Sequence, residues 1–136
     1  MKDPVKYNLH DCDIDAVTLN GNQIVFSFPD GYYAEDDNCQ EIKSLRRKLV
    51  FTIGQYQPDE SLDAYIEIRR ISRNFKRWRE ISFKEFTALF KKGNMTIHDE
   101  YDSKLTNWKM IQLNADSRSS NIELWITDII DVQCIE

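Results

Sequence analysis

The sequence predicts an α+β, β-rich domain of about eight mostly antiparallel strands, a sandwich or an open barrel, with one amphipathic helix near 83–92. Three observations predict it. Several short stretches alternate apolar and polar residues, the period of a strand with one buried face. Asn20-Gly21 stands between two such stretches, and this dipeptide favours a tight hairpin turn. One segment only, "ISFKEFTALFKKG", carries helical spacing with both of its ends marked.

Taken in order, "IDAVTLNGNQIVFSFPDG" reads as two strands around the turn, with Ile24, Phe26 and Phe28 on one face and Pro29-Asp30-Gly31 ending the second. Residues 32–44 lack a period and are rich in turn formers, so a long surface loop is expected there. "KLVFTIGQ" (48–55) and "AYIEIRRI" (64–71) are β-branched and alternating, and both read as strands. "FKRWREI" (75–81) reads as a hairpin partner.

The helix follows. Ser82 suits the N-cap, Glu85 completes a capping box, and Ile81 with Phe86 forms a hydrophobic staple. Phe83, Phe86, Leu89 and Phe90 make its apolar face, Lys91-Lys92 suit its C-terminal dipole and Gly93 its C′ position. "MTIHDEY", "NWKMIQL" and "NIELWITDIIDVQCIE" are strand-like, the last long enough to bend at Thr127-Asp128 or to be two strands.

Length and composition bound the class. The 136 residues suit one domain, 1–136, and 41% apolar with 30% charged residues lies in the globular range. The opening "MKDPVKYNLHDC" lacks the apolar core of a signal peptide, and no apolar run approaches the roughly 18 residues of a bilayer span. A cytoplasmic chain without a membrane partner is expected. Cys12, Cys39 and Cys134 are widely spaced and read as reduced thiols. The net charge of −5 is unevenly spread: residues 1–41 hold nine acidic against two basic residues, whereas 66–92 hold nine basic against three acidic.

Four stretches carry chemistry to be weighed. "LHDCDID" (9–15) opens like a calcium loop, but Ala16 stands where that loop needs glycine and Asn22 where it needs glutamate. Read as extended, it puts His10, Cys12, Ile14 and Ala16 on one face of an edge strand. His10 and Cys12 with His98, Asp99 or Glu100 supply zinc-type ligands, which keeps a small metal-dependent enzyme around His10 and His98 as the second reading. No recognised ligand spacing, nucleophile elbow or phosphate loop occurs, so no metal, cofactor or catalytic residue is assigned. The strip Arg69, Arg70, Arg73, Lys76, Arg77 and Arg79 interleaves with Phe75 and Trp78, a combination that grips nucleic acid. The acidic remainder opposes it, and nucleic-acid binding ranks third. In "GYYAEDDN", Tyr32 and Tyr33 beside Glu35, Asp36 and Asp37 offer anchors and steering charge for a basic protein partner.

The succession "LHDCDIDAVTLNGNQIVFSFPDGYY", "YIEIRRI", "ISFKEFTALFKKGNMTIHDEY" resembles small uncharacterised bacterial domains, mainly of Firmicutes. These begin with a Leu-His-Asp-Cys strand and later carry a capped Glu-Phe helix. In size and pattern the chain is more loosely similar to immunity proteins of bacterial toxin systems. That likeness implies a protein-binding domain acting as an inhibitor of a toxin and supplies no binding residue; on the residue reading, occlusion would come from the acidic surface with Tyr32, Tyr33, Glu35, Asp36 and Asp37. The likeness transfers no catalytic residue.

Overall fold

Alternation of buried and exposed side chains is clearest in the strands that line the core, where Ile24, Phe26 and Phe28, or Ile122, Leu124 and Ile126, are buried at every second position. The computed structural model describes residues 7–35, 43–54, 65–71, 77–103, 107–115 and 120–136. Its elements are β1 (Tyr7–Asn8), β2 (Asp13–Ile14), β3 (Ala16–Asn20), β4 (Gln23–Glu35), β5 (Lys43–Ile53), β6 (Ile66–Ile71), β7 (Trp78–Glu80), α1 (Phe83–Ala88), β8 (Met95–Ser103), β9 (Trp108–Ala115), β10 (Ser120–Ile126) and β11 (Ile129–Ile135). The fold is strand-rich, as the alternation predicts. Among the described residues there are eleven strands, where about eight are expected, because the N-terminal segment is cut into three short ones.

All pairings are antiparallel, and they form two open sheets. In the first, β4 is central: β5 and then β11 lie on one side, and β1 and β3 share the other. The second runs β2-β8-β9-β10-β6-β7. Their inner faces share one core, which includes Ile24, Phe26, Phe28 and Tyr32 from β4, Leu49, Phe51 and Ile53 from β5, and Ile111, Leu113, Ile122 and Leu124 from β9 and β10. Phe26 and Phe51 meet edge to face at 5.6 Å.

The hairpin forms where Asn20-Gly21 predicts it, with the turn one residue further on. Asn20 pairs with Gln23, so Gly21 and Asn22 are the central residues. Only Gly21 has a positive φ, 59°, which is the pattern of a II′ turn rather than I′. Asn22 is held instead by β5, since Ile53 N–H donates to its carbonyl at 2.8 Å.

Pro29-Asp30-Gly31 does not end β4. The register jumps there from Ser27 opposite Lys48 to Tyr32 opposite Arg46, leaving a bulge that the partner strand does not match. Gly31 takes φ 79°, and a Cβ on it would meet the Leu45 side chain at 2.7 Å, so a side chain there is both strained and crowded. Arg47 secures the bulge by donating to the Pro29 carbonyl at 2.5 Å. The loop expected at 32–44 is therefore strand at both ends: β4 runs on to Glu35 and β5 begins at Lys43, with 36–42 outside the described residues.

The helix is capped as its sequence predicts, and Glu85 N–H donates to Ser82 Oγ at 3.1 Å. It is shorter than expected, tightening to a 3₁₀ turn over Leu89–Lys92. The Glu85 carboxylate turns to Arg79, 3.1 Å away. Phe86 is fully buried with Ile81 in the core, and Phe83, Leu89 and Phe90 pack partly buried against it. Among the described residues no helix is long and apolar enough to cross a membrane.

Phe86→Ala should cost about 3–5 kcal/mol, the usual loss for a buried aromatic side chain. Urea titration followed by circular dichroism reads it. A loss below about 1 kcal/mol would show that the helix contributes little to the core.

Candidate binding surface

Of the acidic surface predicted around Tyr32, the described residues are Tyr32, Tyr33 and the backbone of Glu35. Tyr32 is 1% exposed; its ring lies 4.6 Å from that of Phe28 and its hydroxyl donates to the Lys48 carbonyl at 2.6 Å. Alternation turns it inward, so it is corrected from contact residue to core residue. Tyr33, on the opposite face, is 58% exposed and pairs with Leu45. Glu35 ends β4 opposite Lys43, while Asp36 and Asp37 lie outside the described residues.

"LHDCDID" is not one extended strand. Cys12 N–H donates to the Leu9 carbonyl at 3.0 Å, closing a tight turn whose third residue, Asp11, takes φ 62°. The turn carries the chain from β1 in one sheet to β2 in the other. Besides the β2–β8 pairing, it is fastened to β8 by Asp11 N–H to the Ile97 carbonyl (2.9 Å), Ile97 N–H to the Cys12 carbonyl (2.8 Å), His10 Nδ1–H to the His98 carbonyl (2.7 Å) and Thr96 Oγ1–H to Asp13 (2.7 Å). Asp15 N–H then reaches back to Ser27 at 3.1 Å. The motif is a seam between sheets.

The seam brings the His10 and His98 rings to 6.3 Å. His10 Nδ1 is already committed to a carbonyl, and a carbonyl only accepts, so that nitrogen carries a proton. Burial, followed by the nearby Asp13, Glu100 and Asp11 carboxylates, raises the Cys12 thiol above its ordinary pKa and disfavours the thiolate a metal needs. Among the described residues no three His, Cys, Asp or Glu side chains converge as a metal-holding group.

The basic strip is divided by the same alternation. Arg69 faces outward, paired with Glu67 at 2.9 Å; Arg70 and Arg79 are cross-strand partners on the other side, and Arg79 pairs with Glu85. Phe75, Arg73 and Lys76 lie outside the described residues.

The outer face of the six-stranded sheet gathers what the segments hold separately. Its register places Glu80, Arg69, Glu123, Gln112 and Asp99 side by side across five strands. The next rung holds Glu67, Trp125, Met110 and Tyr101. Trp78 and Trp108 stand on the flanking rungs, so all three tryptophans of the chain share this face. Diagonal contacts tie the rungs together. Arg69 lies 4.6 Å from the Trp78 ring centre and 5.9 Å from that of Trp125, and Trp125 meets Trp108 at 5.2 Å. Trp125 Nε1 donates to Glu123 at 3.3 Å and Tyr101 donates to Asp99 at 2.8 Å. That bond, with the Glu100 amide, holds Asp99 below the usual carboxylate range. Trp78 is 60% and Tyr101 47% exposed.

Sequence reasoning missed Trp108, Trp125 and Tyr101. The available signal was an aromatic at a polar-face position: in "NIELWI", Trp125 alternates with the apolar Ile122, Leu124 and Ile126 and falls in line with Asn121 and Glu123.

Beneath this face, on the inner side of β9, Lys109 is 3% exposed. Its Nζ donates to Tyr7 Oη at 2.8 Å and Asp102 Oδ1 at 3.0 Å, and lies 3.3 Å from Glu100 Oε2. The last contact is electrostatic only, since that buried oxygen receives no aligned hydrogen bond. Burial works against the lysine's charge, but Tyr7, Glu100 and Asp102 outweigh it and hold its pKa above the ordinary value. Burial likewise pushes the Tyr7 phenol up to about 12, against the pull of Lys109. Glu100 is raised by burial, with Lys109 opposing.

Both Tyr7 and Lys109 keep their protons more tightly folded than unfolded, so their stabilisation is complete at neutral pH and is lost as pH rises above 10. Urea midpoints should fall between pH 10 and 12, and Tyr7→Phe should make that fall shallower. An unchanged slope in Tyr7→Phe would remove the phenol from the alkaline transition.

No family model, no curated protein and no solved structure matches this chain.

Proposed function

We propose that this chain is a protein-binding domain whose contact surface is the tryptophan face of the six-stranded sheet. One observation carries the reading: the three tryptophans, Tyr101 and Arg69 converge on a solvent-facing sheet surface. Trp, Tyr and Arg are the residue types that dominate the energetics of protein interfaces. An open sheet face also suits a macromolecule better than a small ligand, which needs a concave pocket.

The sheet pre-organises these side chains. Trp108 and Trp125 are held by each other and by Glu123, so little rotamer entropy remains to be lost on binding. The immunity-type resemblance supplies the partner class, a toxin, and an inhibitory mechanism in which the domain covers a working surface of that toxin. Tyr33 and Leu45 belong to the five-stranded sheet and form a smaller exposed pair that the acidic-surface reading retains.

A photo-crosslinking residue at position 78 or 101 in the native host should capture the partner, and one at position 130 should not. With that partner purified, Trp78→Ala and Tyr101→Ala should each weaken binding roughly tenfold or more, as interface anchors do, with an unchanged melting temperature. A complex indifferent to both, yet sensitive to Tyr33→Ala and to neutralisation of Glu35, Asp36 and Asp37, would return the contact surface to the acidic segment.

A further inference from the structure

We propose that the tryptophan face receives a basic, arginine-bearing segment of its protein partner; this rests on that face being the contact surface. Charge complementarity is the first argument. Among the described residues of the face, the carboxylates of Glu67, Glu80, Asp99 and Glu123 face one guanidinium, Arg69. Two of the four are tied to aromatic groups of the same face, Asp99 to Tyr101 and Glu123 to Trp125. Each retains acceptor capacity, since a carboxylate has about four lone-pair sites.

The second argument is that the face already binds one guanidinium of its own. Arg69 lies between Trp78 and Trp125, and its Nε and one Nη both donate to Glu67 Oε1, at 3.1 and 2.9 Å. Stacking on indole combined with donation to a carboxylate suits the planar guanidinium, which is more weakly hydrated than an ammonium. The same ingredients recur on the other side of Trp125. Trp108 supplies the second indole at 5.2 Å, and Glu123 and Asp99 flank Gln112 on adjacent strands. An arriving arginine thus finds there what Arg69 has at Trp78: an aromatic surface, a carboxylate within reach and a preset geometry. Selectivity for arginine over lysine follows from the stacking, and attraction to either follows from charge alone.

The test titrates the full chain with hexa-arginine, hexalysine and hexaglutamate peptides at physiological ionic strength, read by calorimetry and by the indole N–H signals of an amide correlation spectrum. Hexa-arginine should bind about two- to fivefold more tightly than hexalysine, the ratio that an exposed cation–π contribution supplies, and should shift the Trp108 and Trp125 indole signals. Hexaglutamate should not bind. Glu123→Gln with Asp99→Asn should weaken hexa-arginine binding, whereas Asp30→Asn with Asp131→Asn, which removes the same charge from the five-stranded sheet, should leave it unchanged. Equal affinity for the two basic peptides, equal effects of the two double variants, or shifts confined to other residues would overturn the proposal. Should it fail while crosslinking from position 101 still captures a partner sensitive to Tyr101→Ala, the partner's chemistry is wrong and the protein-binding reading stands.

Discussion

The two sheets are one structure because the chain crosses between them within seven residues. From Leu9 to Asp15 it leaves β4, turns at a left-handed Asp11, lies along β8 and returns. Leu9 and Ile14, both fully buried, anchor the crossing at either end, and its polar groups bond to β8, to Ser27 and within the turn itself. Buried backbone donors and acceptors demand partners, and the crossing supplies them across the gap that two separate sheets would leave open. The histidine, cysteine and aspartates that suggest metal chemistry in the sequence have structural roles in this seam.

A second tie between the sheets is charged. Lys109 reaches from β9 of one sheet to Tyr7 on β1 of the other, at 2.8 Å, over the Tyr7 ring. A buried ammonium is tolerated only when it is paired and hydrogen-bonded, and here Tyr7 and Asp102 accept two of its three protons while Glu100 supplies a further opposite charge. Such a contact is demanding in geometry and therefore fixes the position of β9. The tryptophan face is built on the reverse side of that strand and its neighbours, so its layout inherits the rigidity of the layer below.

Much of the fold was legible because alternation is a local property. The inward set Ile24, Phe26 and Phe28, the capped helix with its buried Phe86, and the bend at Asp128, which takes φ 57°, can all be read from short windows. Tyr32 was misassigned because a bulge hides where β4 continues: Pro29 and Gly31 look like a terminus, and the strand resumes its inward parity beyond them. The surface was less legible still. Trp78, Trp108 and Trp125 lie on β7, β9 and β10, and β6 enters the sheet between β10 and β7. Only strand order makes neighbours of residues so distant in sequence, and strand order leaves no trace in composition or period. The basic strip is divided for the converse reason, since residues adjacent in sequence point to opposite faces of a strand.

Confining every tryptophan to one outer face has an optical consequence. In many globular proteins indole emission reports on the core, because tryptophan is buried on average. In this chain it reports on the surface of one sheet, and the core is left to Phe26, Phe28, Phe51, Phe86 and Tyr32. Fluorescence and far-ultraviolet dichroism therefore observe different parts of the molecule. Emission follows solvent and neighbours at the face, and dichroism follows the strands beneath it. An event that touches only the face changes the colour of the protein's light and leaves its backbone signal still.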